Sequence, residues 1–204
     1  MPILHDMKVS GNAYKVRLCA HQLGVALTLV DYPYGSNKTK TPEFLAKNPE
    51  GRVPLLELED GSCLPESNAI LWYLAEETAL VPARAWDRAQ CLSWMFFEQY
   101  SHEPYVAVTR NIMSHMPKER AAQFQSRLPE LIERGNHALK VMEGHLAKHD
   151  WFAGTNYSIA DIALYAYTHK ADEGGYHLRD YPAVVRWLKR VEAQPGYIPM
   201  LAGH

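Results

Sequence analysis

Up to about residue 78, short apolar runs alternate with apolar positions at helical spacing. Pro2 to His5 predicts a short strand, followed by a loop from Asp6 to Asn12. Val16, Leu18, Cys19 and Leu23 recur with a helical period, so a helix is predicted over Ala13 to Leu23, stopped by Gly24. A second strand is predicted over Ala26 to Tyr32, and a third over Val53 to Leu58, entered through Pro54. Between them, Lys38 to Pro42 reads as a polar connection and Glu43 to Lys47 as one helical turn. Asp60-Gly61 is a hairpin signal that makes Ser62 to Leu64 the returning strand. Glu66 to Ala75 reads as a helix with Ile70, Leu71 and Leu74 on one face. The order β-α-β, then β-β-α, predicts a small α/β domain with a mixed sheet.

Past Trp86 the strand signal fades and long helical patterns take over. Helices are predicted over Arg84 to Val108, with a kink at Pro104, and over Glu119 to Lys148. Ser158-Ile-Ala-Asp161 opens an apolar run ending near Thr168, and Tyr181-Pro182 precedes a last helix over Ala183 to Ala193. The expected organisation is an α/β domain over residues 1–78 and an all-α domain over residues 86–204. Glu77 to Ala85, with Pro82, is the expected linker.

Composition adds exclusions. The 204 residues are 47% apolar and 22% charged, too balanced for a disordered or collagen-like chain. A net charge of -2 supplies no basic field for nucleic acid or an anionic membrane. No apolar run is long enough to suggest a membrane span, and Met1 to Asp6 lacks the pattern of a secretory leader. Cys19, Cys63 and Cys91 form neither a zinc pattern nor a Cys-x-x-Cys pair, and no His-x-x-x-His pair falls wholly within a predicted helix. A reduced, cytoplasmic protein without a metal site is expected.

Three short segments carry candidate chemistry. Val53-Pro54 stands at a strand entry; a cis bond there would turn the Val53 backbone outward as a docking edge, whereas a trans proline would be ordinary strand punctuation. Glu66-Ser67 lies where a helix begins; it suits an amino-acid head carrying both charges, or simple capping. Ser10-Gly11-Asn12 lies between the first strand and first helix, where a hydroxyl or amide stabilises a thiolate or caps the helix. Ser10 lacks the context of a serine hydrolase.

Along nearly its whole length the chain resembles the cytosolic glutathione S-transferases. The resemblance rests on Ser10-Gly11-Asn12-Ala13-Tyr14-Lys15-Val16-Arg17, Lys40-Thr41-Pro42-Glu43-Phe44, Asn48-Pro49-Glu50-Gly51-Arg52-Val53-Pro54, Asp60-Gly61 and Glu66-Ser67-Asn68-Ala69-Ile70, in that order. It implies a thioredoxin-like α/β first domain and an all-α helical second domain. It also implies that Val53, before the cis Pro54, pairs its backbone with the cysteinyl part of glutathione. Glu66 and Ser67 would hold the γ-glutamyl head. Lys40, and more loosely Thr39, would meet the glycyl carboxylate, and Arg52 would add a polar contact.

The implied reaction is thiol chemistry. A free thiol with a pKa of about 8.5 is a few per cent ionised at neutral pH, and the thiolate is the nucleophile. Ser10 is the expected donor to the sulfur, with Asn12 its rival; Ser10-Gly11-Asn12 resembles the Thr-x-Asn loop of bacterial members, including the nu class. No tyrosine precedes Tyr14 and no cysteine lies in this loop, so a catalytic tyrosine and an enzyme mixed disulfide are both disfavoured. Tyr100, Tyr105 and Arg110, with His102 between them, are the expected electrophile contacts. Trp94, Phe96 and Phe97 are expected in the core. The leading expectation is transfer of glutathione to small hydrophobic electrophiles, a detoxification reaction with glutathione as co-substrate and no other cofactor. Glutathione-dependent reduction of disulfides or peroxides, and a non-catalytic interaction protein on the same scaffold, are the alternatives. A homodimer is expected, using the Ile70 to Glu77 and Ala85 to Phe97 helices.

Overall fold

The computed structural model describes residues 1–202. It divides into one unit comprising Met1–Thr78 with the segment that starts at Gln194, and a second comprising Ala79–Ala193. The first contains β1 (Ile3–Asp6), α1 (Gly11–Leu23), β2 (Thr28–Asp31), α2 (Pro42–Lys47), β3 (Leu55–Glu57), β4 (Cys63–Pro65) and α3 (Ser67–Ala75). The strand order is β2-β1-β3-β4, with β1 parallel to β2 and antiparallel to β3, and β3 antiparallel to β4. This is the mixed sheet that the element order predicts. Leu4 and Leu56 are cross-strand partners and meet Val16 of α1 and Ile70 of α3 in one buried cluster.

Helix α1 starts two residues before the predicted Ala13. Ser10 is its N-cap, accepting the Ala13 N–H at 3.2 Å, and Gly24 ends it at φ 68°. The apolar pattern begins only at Val16, so periodicity alone places the start too late. The segment from Gln194, expected with the helical domain, docks instead on α1. Tyr14 donates its hydroxyl to the Ile198 carbonyl at 2.6 Å, and Arg17 donates to the Met200 carbonyl at 2.7 Å. The same guanidinium holds Asp6 at 2.6 and 2.7 Å, with both side chains buried.

The second unit contains α4 (Ala85–Phe97), α5 (Glu103–Arg110), α6 (Lys118–Ala121), α7 (Leu128–Leu146), α8 (Ile159–Thr168) and α9 (Pro182–Glu192). The helix predicted over Arg84 to Val108 is interrupted by a wide π-type turn at Glu98–His102. Pro104 sits in the first turn of α5, where its missing N–H costs least. The helix predicted over Glu119 to Lys148 breaks likewise before Pro129, in the first turn of α7. Every residue of α8 is buried. Asp161 gathers four donors at its start: the Ser158 N–H and hydroxyl, the Phe152 N–H, and the Trp187 indole at 2.9 Å. Glu143 accepts from the Ala183 and Val184 N–H groups, a carboxylate at the positive end of α9.

Two sequence expectations are corrected here. Phe96, expected in the core, is 69% exposed, whereas Trp94 and Phe97 are half-buried. His102, for which surface exposure was the plain alternative to a site role, is fully buried and pairs with the Thr168 hydroxyl at 3.0 Å. Cys91, Met95, Glu98 and His102 form one buried stripe at helical spacing, which puts His102 inside and leaves Phe96, one residue past Met95, on the outer face.

Gly135 of α7 faces Tyr176, whose hydroxyl donates to the Leu131 carbonyl at 3.2 Å. A Cβ at Gly135 would lie 2.1 Å from that hydroxyl. Gly135→Ala is expected to destabilise the helical unit by about 2 kcal/mol through overpacking, read as a lower urea midpoint with an unchanged slope. An unchanged midpoint contradicts this.

Candidate functional site

The sheet register brings the three candidate segments to one edge. His5, Leu55 and Pro65 are successive cross-strand partners, with β1 and β4 both antiparallel to β3. The loop after β1, the segment before β3 and the segment after β4 therefore leave the sheet on the same side. These carry Ser10-Gly11-Asn12, Val53-Pro54 and Glu66-Ser67 respectively.

The Val53–Pro54 bond is cis. The β3 ladder stops at Leu55, so the Val53 N–H and C=O take no part in it. Asn48, buried at the end of α2, shapes the approach to this edge. Its carbonyl accepts from Gly51 N–H at 2.9 Å, its Oδ1 from Glu50 N–H, and its amide donates to the Arg52 carbonyl at 2.8 Å. The Asn-Pro-x-Gly motif carried this signal without showing that the asparagine is the organiser. Lys40, at the end of a short 3₁₀ turn, donates to the Glu50 carbonyl at 2.9 Å. Gly51 has φ +59°, and a Cβ there would lie 2.7 Å from both the Lys40 ammonium and the Thr39 carbonyl. Lys40, half-buried Thr39 and the Val53 approach thus form one surface, while the Arg52 side chain is exposed.

Glu66 and Ser67 are not ordinary helix caps. Glu66 holds φ 72° and ψ 111°, a backbone conformation that costs about 1–3 kcal/mol for a residue with a Cβ. Its side chain makes no capping bond and is exposed. Ser67, the first residue of α3, is buried; its hydroxyl donates to Asn12 Oδ1 at 3.2 Å. The Lys15 ammonium donates to the same hydroxyl oxygen at 3.4 Å. Asn12 and Lys15 are three residues apart on α1, so they share the helix face turned to α3. Lys15 is fully buried, and burying an ammonium costs several kcal/mol before its partners repay it. Its lysine identity could be read in the sequence, but nothing in the apolar pattern showed it turning inward.

The two sequence readings of Ser10 are compatible. Accepting the Ala13 N–H uses a lone pair of Oγ, and the hydroxyl hydrogen still has a direction to donate. No enzyme thiol is poised to ionise. Burial pushes Cys19 up to about 12 and Cys91 up to about 11. Partial burial, then the Glu57 charge, also raises Cys63, and Lys47 opposes them.

In the helical unit, Tyr100 and Tyr105 line a cavity of about 440 Å³ with Glu130, Glu133, Arg134 and His137. Arg134 donates to the Tyr105 hydroxyl at 3.3 Å and pairs with Glu130 at 3.0 Å. The wall is more charged than the sequence expectation of a small hydrophobic ligand. Arg110 does not join them: its guanidinium is buried and bonds Glu173 at 2.7 Å. Among the described residues no His/Cys/Asp/Glu cluster could hold a metal, and no helix is long and apolar enough to cross a membrane.

Comparison with known proteins bears on the whole chain. Residues 4–82 match the family model for the glutathione S-transferase N-terminal domain, and residues 96–195 match that for the C-terminal domain. A solved glutathione S-transferase from Pseudomonas fluorescens is 46% identical, with a TM-score of 0.93 over 98% of both chains. A structure described as a possible glutathione S-transferase from Rhodopseudomonas palustris is also 46% identical, with a TM-score of 0.95 over 100% of this chain and 91% of that one. Among curated proteins, a disulfide-bond oxidoreductase of Escherichia coli is 29% identical over 90% of this chain and 87% of its own. With both domain models in sequence order on a thioredoxin-like sheet and a helical unit, the chain belongs to the glutathione S-transferase family.

Proposed function

We propose that the protein binds reduced glutathione along the β1–β3–β4 edge, ionises its thiol there and transfers it to small electrophiles. The observation that carries this reading is the junction of Ser67, Asn12 and Lys15. It joins the N-terminal ends of α1 and α3, two helices whose positive poles favour anions, over a buried ammonium. In this reading Ser67 and the α3 N-terminus take the carboxylate of the γ-glutamyl head, and exposed Glu66 accepts from its ammonium. The Val53 backbone pairs with the cysteinyl peptide group, and Lys40 takes the glycyl carboxylate, with Arg52 beside it. Ser10 donates its hydroxyl to the sulfur from the N-cap position of α1. Lowering the thiol pKa by about two units takes roughly 2.7 kcal/mol, within reach of one charge-assisted hydrogen bond and a helix pole.

A second reading is glutathione-dependent disulfide reduction. The Ser10-Gly11-Asn12 loop and the oxidoreductase relative favour it. With Cys19 and Cys91 buried and hard to ionise, such a reaction runs on two glutathiones: one thiolate attacks the disulfide, the second releases oxidised glutathione and two thiols. Parallel assays separate the readings. Conjugation of an aryl halide with little reduction of a model disulfide is the expected result; the reverse ranking makes reduction the main activity.

The assembly proposed is a homodimer. Trp86 and Phe96 of α4 are 67% and 69% exposed, and Leu92, one turn before Phe96, is exposed beside it. Tyr73 on α3 is also exposed. An apolar side of this kind suits a second copy of the chain.

A further inference from the structure

We propose that Lys15 is a positioning residue that makes the Ser67 hydroxyl a donor for the carboxylate of the bound head group. This rests on the glutathione reading above and adds a residue to it. A serine hydroxyl has one hydrogen and two lone pairs, so its direction depends on its neighbours. The Lys15 ammonium can only donate, and it points at Ser67 Oγ from 3.4 Å. With a donor already at its oxygen, Ser67 directs its hydrogen away, and here the recipient is Asn12 Oδ1 at 3.2 Å. An arriving carboxylate is a stronger acceptor than an amide oxygen and takes that hydrogen. Lys15 thereby does two things without touching the ligand: it fixes the sense of the Ser67 hydrogen bond and places a positive charge beneath the carboxylate. Because the recipient lost is Asn12 of the Ser10-Gly11-Asn12 loop, occupation of the head-group site is felt at the loop facing the sulfur.

Three readings separate this role from a merely structural one. Calorimetric titration of the wild type with reduced glutathione, and with the analogue whose γ-glutamyl carboxylate is an amide, should give at least tenfold tighter binding of glutathione. In Lys15→Met that preference should shrink to within about threefold, while the amide analogue binds nearly as before. Lys15→Gln, which keeps a donor without the charge, should fall between them. An unchanged preference in a folded Lys15→Met overturns the proposal, as does equal weakening of both ligands. Should Lys15→Met fail to fold, Lys15→Gln decides by the same comparison. The unsubstituted protein supplies a further check: the Lys15 Cε resonance should move with glutathione and much less with the amide, and equal movement overturns the proposal. Failure of the wild type to bind glutathione at all is a different result, and it removes the glutathione reading itself.

Discussion

Ser10→Ala is expected to raise the pKa of enzyme-bound glutathione by about one to two units and to lower kcat/KM at neutral pH ten- to hundredfold. The magnitude follows from removing one hydrogen bond to a charged sulfur, worth about 1.5–3 kcal/mol. Ultraviolet titration of the thiolate in the complex reads the first quantity, and conjugation kinetics the second. Ser10 also caps α1 through the Ala13 N–H, so the same substitution should cost about 1 kcal/mol of stability. Ser10→Thr keeps both the cap and the hydroxyl and should stay near wild type on both counts. That control separates a donor to the sulfur from a cap whose loss disturbs the loop. A Ser10→Ala complex with an unchanged thiolate titration would remove Ser10 from the chemistry and leave it a cap. Asn12→Ala would then be the variant to titrate.

Asp161→Ala should destabilise the helical unit by about 3–5 kcal/mol and lower its melting midpoint by more than about 10 °C. The carboxylate is fully buried and receives four donors, each stranded in an apolar interior by the substitution. Burial pushes this carboxyl up to about 6, against the hydrogen bonds that favour its charge. Because that value lies above the usual carboxylate range, this group supports folding most when protonated. The part of its contribution that depends on the bound proton is fully present below about pH 4 and is lost as pH rises through about 6, a change of roughly 3 kcal/mol, while the four hydrogen bonds remain at neutral pH. Chemical denaturation across that range should show the slope in the wild type and lack it in Asp161→Ala. A variant within about 1 kcal/mol of wild type at neutral pH would mean that relaxation or water satisfies the four donors.

The legible parts of the fold were those with local causes. Gly24 stops α1, Asp60-Gly61 turns the hairpin, and Ser158 with Asp161 opens α8, each through chemistry within a few residues. What remained hidden depended on distant neighbours. Nothing near Met200 or Ile198 shows that they meet Arg17 and Tyr14, more than 180 residues away in sequence. The π-type turn at Glu98–His102 is equally silent. For the candidate site, the segments were visible as motifs, but their convergence required the register of β1, β3 and β4. Lys15 is the clearest omission. A lysine in a helix reads as solvated, and only the packing of α1 on α3 shows it buried beneath Ser67.

Calorimetric titration of the purified chain with reduced glutathione tests the central claim most directly. The account predicts saturable binding at one site per chain, with affinity on the order of micromolar to low millimolar. Absence of binding at several millimolar would contradict it: the edge built by Val53, Ser67 and Lys40 would then not be a glutathione site, and a non-catalytic role on the same scaffold would take its place.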